Sequence, residues 1–141
     1  MKRFGLAILA YLVPTFALGF VWHLVLFESY YRALQIYRDD VIIPFGFLSM
    51  LIQAVAFAWI YAKSFDPGTG DFVPRSLAYG ALGALLSWSF TTLAVAAKNV
   101  MSSVPHYLLI ETGFTIAQWI MVAPLTVLAF SQSRMGAAAR A

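Results

Sequence analysis

The chain has 141 residues, of which 62% are hydrophobic and only 11% charged, and its mean hydropathy is +0.81; soluble domains carry roughly a quarter charged residues, so a water-soluble globule is excluded. There is no cysteine, which removes disulfides, thiolate metal sites and thiol nucleophiles. The net charge of +3 is scattered in ones and twos, so it offers no basic patch to DNA or RNA.

Four apolar runs, at about 4–27, 41–62, 77–97 and 108–130, are each long enough to cross a bilayer core as a helix. The chain therefore reads as all-α, a polytopic membrane protein with a single domain of four transmembrane helices, and its short loops have no room for a soluble catalytic or nucleic-acid-binding module. Lys2, Arg3, Lys63, Arg75, Arg134 and Arg140 fall on one side, and Arg32, Arg38 and Lys98 on the other. By the positive-inside rule both termini are expected in the cytoplasm.

The first run opens with Met1-Lys2-Arg3 and contains Ala17-Leu18-Gly19, like a secretory signal, but it continues to Phe27 and so reads as a membrane span. From Glu28 to Tyr37 there is no Gly or Pro, and Glu28 precedes Arg32 by four residues, which predicts that the helix continues. Tyr30, Tyr31, Leu34 and Tyr37 then form an aromatic collar at the outer interface. Asp39 and Asp40 are the expected N-caps of the second span, with Pro44 in its first turn. Trp59 and Tyr61 fall near the inner interface. Residues 64–71 are a turn cluster, Ser76 is the expected cap of the third span, and Lys98 to His106 forms an outer loop closed by Pro105. The tail after Ser131 is expected to fray.

Along the third span Ser76, Gly80, Gly83, Ala84, Ser87, Thr91 and Ala94 recur every three or four residues. Small residues at this spacing let helices approach closely in lipid, either as the bundle's own seam, which we favour, or as a dimerisation face. Pro14 and Pro124 leave the Ala10 and Ile120 carbonyls without helical donors and read as static kinks rather than hinges. Gln53 and Gln118 lie at similar depth to Ser87, Ser89, Thr91 and Thr92. That neutral polar belt reads as interhelical glue or, alternatively, as the lining of a narrow solute path.

The ionisable residues gather at the outer end. His23 and Glu111 should lie level, about 5 to 6 Å below the boundary, with Lys98 nearby and Glu28 and His106 about a turn above. His23 with Glu28, and His106 with Glu111, repeat a five-residue spacing that places the side chains on different helix faces. The favoured reading is a polar cap in which Glu111 pairs with Lys98 or His23. A solute entrance comes second, and haem or metal ligation by His23 and His106 third. No cofactor is expected. Ala17-Leu18-Gly19 with Trp22 is partly repeated by Ala81-Leu82-Gly83 with Trp88, and Gly46-Phe47 by Gly113-Phe114, a pattern of the kind left by duplicated hairpins.

The stretch from Ala17 to Phe27, continuing through Tyr31-Arg32-Ala33-Leu34, resembles the first helix of a family of small bacterial four-helix membrane proteins catalogued as a domain of unknown function. Its pattern is a small residue, Gly, two positions, Trp and an aromatic, then Leu-Phe; here His23 stands where Tyr is usual and Glu28 where Gly is usual. The layout from Tyr79 to Phe130, with Asn99 and Gly113, is similar too. The resemblance implies a fold and a membrane location, taken as the bacterial inner membrane, and no chemistry. With no catalytic motif, the expected role is non-enzymatic: a structural or accessory subunit packed against other membrane proteins or its own copies. The alternative is a small oligomeric transporter or channel for an ion or polar solute, with Gln53 and Gln118 on its path and His23 and Glu111 at its mouth.

Overall fold

Along the first helix Ala7, Tyr11, Thr15 and Gly19 recur every fourth residue, and they are its buried residues. A computed structural model describes residues 1–38, 40–65 and 71–131. We label its helices α1 (Lys2–Leu26), α2 (Glu28–Leu34), α3 (Ile43–Ser64), α4 (Phe72–Lys98) and α5 (Val104–Ser131). All but α2 are long and apolar enough to cross a membrane. No strand occurs among the described residues.

Half of the most apolar stretch of α5 is buried, against 22% for α1 and 17% each for α3 and α4, so α5 is the axis of the bundle. It packs on α1 on one side and α4 on the other, and α3 packs mainly on α1, reaching α5 through Phe57 and Tyr61. Lipid tails are as apolar as the side chains they would replace, so these seams depend on close packing and hydrogen bonds rather than on a hydrophobic drive. The small-residue row on α4 supplies one of them. Gly80 approaches the Ala123 side chain, and a Cβ at Gly83 would collide with the Trp119 ring. The row serves the chain's own α4–α5 seam, although Thr91 at its upper end is exposed and Ser76 bonds the Phe72 carbonyl of its own helix.

At the end carrying both termini, the bundle is closed by aromatic side chains. Tyr61 is fully buried, stacks on Phe65 and Phe130 and meets Tyr79 edge-on at 5.0 Å. The Tyr79 hydroxyl donates to the Phe57 carbonyl at 3.1 Å, joining α4 to α3. Trp59, by contrast, is exposed. Tyr61 is thus a core residue, not the interfacial one expected, because its ring is turned into the bundle.

Four local expectations are corrected. The first helix does not run on to Tyr37: Trp22–Leu26 is a π-helical turn, with the Phe27 N–H on the Trp22 carbonyl at 3.0 Å, and Phe27 leaves helical geometry. The separate α2 ends at Gln35, whose φ of 58° is left-handed. The aromatic collar is a surface feature only in part: Tyr31 and Leu34 are buried against Tyr107 and Ile110, while Tyr30 is half-buried and Tyr37 exposed. Nor does Asp40 cap α3. Asp39 lies outside the described residues, Asp40 pairs with Arg38 at 3.0 Å, and the helix starts after Ile42 with Pro44 in its first turn. Last, α4 starts at Phe72, about a turn before the expected Ser76 cap. The turn residues 66–70 and the tail after Ser131 lie outside the described residues. Helices α1 and α5 run through Pro14 and Pro124.

Candidate functional site

Three seams, α1–α5, α4–α5 and α1–α3, are packed, whereas α3 and α4 meet through side chains such as Tyr61 and Tyr79. The Tyr61–Tyr79 contact closes the side between α3 and α4 near the termini. Towards the other end a half-open crevice of about 490 Å³ remains, within the size range of small-molecule pockets. Its walls are largely apolar, including Phe16, Phe20, Phe47 and Met50, with Tyr37, Val41 and Ile42 of the α2–α3 connection at its rim. Both π-helical turns, Trp22–Leu26 in α1 and Trp88–Leu93 in α4, border it through His23 and Thr91. Each turn begins at a tryptophan of the suspected duplication. Such turns shift the register of a helix face and are frequent at functional sites.

Two polar groups of residues reach this crevice. The inner one crosses three helices. Gln118 donates to the Tyr11 hydroxyl and to Thr15, each at 3.1 Å; Tyr11 donates to Gln53 at 2.7 Å; Gln53 donates to Ser49 at 3.0 Å. Every member therefore has a partner, as buried amides require. The rest of the expected belt is tied up elsewhere. Ser89 and Thr91 bond the Leu86 and Ser87 carbonyls of their own helix at 2.8 Å, and Ser87 accepts the Trp119 indole N–H at 3.1 Å. Thr92 is the exception: its hydroxyl is buried with no hydrogen-bond partner among the described residues.

The second group centres on Glu111, which is buried at 8% exposure yet lines the crevice. Tyr31 donates to its Oε1 at 2.6 Å, and Nε2 of His23 lies 3.3 Å from the same oxygen. The other nitrogen of His23 lies 2.9 Å from the Gly19 carbonyl. Rings enclose the group: His23 is 4.8 Å from Tyr31 and 4.6 Å from Phe114, and Tyr37 stacks on Tyr31 at 5.0 Å. Burial first, and then the adjacent Glu111 charge, push the Tyr31 phenol above its ordinary pKa, so it remains a donor.

Of the five residues expected in the polar cluster, the structure brings together His23 and Glu111. Lys98 is exposed at the end of α4 and forms no ion pair with Glu111 among the described residues. Glu28 pairs with Arg32 at 2.7 Å on the surface. His106 faces Tyr30 rather than His23, so the two histidines do not form a common ligand set, and no group of three metal-binding side chains occurs among the described residues. Tyr11 and Thr15 carry no expectation from the sequence, and Tyr31 and Tyr37 were expected in an interfacial collar rather than beside Glu111. The four-residue period of Tyr11, Thr15, Gly19 and His23 was the available signal for a polar face on α1. No family model, curated protein or solved structure matches the chain.

Proposed function

We propose that the protein binds an amphipathic small molecule from within the bilayer, in the crevice between α3 and α4. The observation that carries this reading is the crevice itself: an apolar cavity, open on one side, with a few convergent polar groups, as small-molecule sites have. A lateral opening admits a lipid-soluble molecule without a continuous aqueous pore. Of the two roles expected from the sequence, this favours the small transporter over the accessory subunit, with an amphiphile as solute in place of a hydrated ion. The excess of Lys and Arg in the terminal loops supports cytoplasmic termini, and with them a crevice nearer the outer leaflet of a bacterial inner membrane.

Gly46 offers a clean test, because it lines the crevice and a Cβ there meets nothing within 4 Å. A leucine at this position would fill the cavity without disturbing a seam. Binding of the neutral amphiphile N-phenyl-1-naphthylamine, followed by energy transfer from the protein's tryptophans, should saturate in the wild type and weaken at least tenfold in Gly46→Leu. Equal transfer in both proteins would show that the probe sits in lipid or detergent, and would overturn the reading.

A further inference from the structure

We infer that the Glu111 end of the crevice takes the head of a lipophilic organic cation, and that the cation enters in exchange for one proton held between His23 and Glu111. The inference rests on the crevice reading above and specifies its ligand.

A backbone carbonyl can only accept, so the Nδ1 of His23, 2.9 Å from the Gly19 oxygen, carries a proton. Nε2 then faces Glu111 Oε1 at 3.3 Å. If both were bare, a lone pair would point at a carboxylate oxygen inside an apolar bundle. One proton therefore holds the contact, whether written as imidazolium with carboxylate or as imidazole with carboxylic acid, and it belongs to the pair. In either form the pair has no net charge. Oε1 also receives the Tyr31 hydroxyl, whereas Oε2 has no hydrogen bond among the described residues.

The crevice lining contains no Lys or Arg, so nothing there competes for the carboxylate as a fixed cation. The rings of Tyr37, Phe114 and His23 line the crevice beside it, with Tyr31 fully buried against His23 and Tyr37, and aromatic faces attract organic cations in desolvated sites. The other titratable groups near Glu111 are the phenols of Tyr31, Tyr37 and Tyr107; Tyr107, on its own helix, donates its hydroxyl to the Thr91 carbonyl, and among the described residues α3 and α4 present only neutral groups such as Ser49, Gln53 and Ser87 to the crevice. When a cation binds, the N–H or O–H bond of the shared proton breaks and the proton leaves to water. Carboxylate, neutral imidazole and bound cation remain; the cation's charge beside Glu111 takes the place of the shared proton in offsetting the carboxylate against the bare Nε2, so the charge inside the bundle is unchanged and no unpaired buried charge arises.

The test uses the full chain in nanodiscs with tetraphenylphosphonium and, as its neutral counterpart, triphenylphosphine oxide. The expected result is saturable cation binding that releases about one proton into weakly buffered medium and tightens by up to about tenfold per pH unit while the pair still holds its proton. Glu111→Gln should lose proton release and at least tenfold in cation affinity, while retaining the neutral compound, which also reports that the variant is folded. His23→Gln should bind the cation with a flattened pH dependence. Cation binding without proton release, or unchanged in Glu111→Gln, would overturn the inference. Equal binding of both compounds would overturn it and leave the crevice reading standing. Failure of the wild type to bind either would overturn both.

Discussion

The two ends of this bundle are built from the same kinds of residue and behave differently. Near the termini, Tyr61, Tyr79, Phe57 and Trp119 interlock and leave no opening between α3 and α4. At the other end Tyr31 and Tyr37 stack on each other and enclose a carboxylate beside a crevice. The difference lies in what faces the rings. Below, they pack on glycine and alanine, so helix backbones come close; above, they face His23, Glu111 and a wall of α3 that α4 does not reach. Aromatic content alone, 16% of the chain, therefore says little about whether a region is core or site.

The largest break in that comparison should come from paired glycines. A Cβ at Gly83 would overlap the Trp119 ring, whereas one at Gly46 meets open space. Gly83→Ala should cost about 1–3 kcal/mol through overpacking, and Gly46→Ala should be neutral or gain up to about 1 kcal/mol of helix propensity. Thermal unfolding followed by circular dichroism in one detergent decides this, and equal midpoints for the two variants would dissolve the distinction between closed and open halves.

A smaller effect tests the network between the two ends. Tyr11→Phe removes the acceptor used by Gln118 and the donor used by Gln53, and interhelical hydrogen bonds in membranes contribute about 0.6–2 kcal/mol each. The variant should lose about 1–2 kcal/mol in the same assay. No loss would mean that the two glutamines find other partners, and that this layer lines the crevice without holding it together.

Much of this could be read in advance where the physics is local. The four spans follow from runs of apolar residues; most observed boundaries lie within two residues of the expected ones, while the third and fourth spans start five and four residues earlier than expected. The level placement of His23 and Glu111 follows from counting helical rise, and their contact is observed. What could not be read depends on which helices are neighbours. The crevice exists because α3 packs on α1 and not along α4, and no residue encodes that order by itself. The π-helical turns were also silent, since neither Trp22–Leu26 nor Trp88–Leu93 contains a Gly or Pro to mark a break. Asp40 failed as a cap because the helix starts further on, at Ile43, with Ile42 in the cap position, leaving Asp40 on an exposed pair with Arg38.

Serines two residues apart sharpen the comparison most finely. Ser87 and Ser89 look equivalent in sequence, and both fall in the polar belt expected at mid-depth. In the structure Ser87 accepts the buried Trp119 N–H, while Ser89 returns its hydroxyl to the Leu86 carbonyl on its own helix. Removing the first leaves an indole donor without a partner, at about 1–3 kcal/mol. Removing the second frees a carbonyl that keeps its helical surroundings, so Ser89→Ala should change stability by less than about 0.5 kcal/mol. If Ser89→Ala proved as costly as Ser87→Ala, its hydroxyl would have to serve a neighbouring helix or a second copy of the chain, and the seam on α4 would extend beyond the contact with α5.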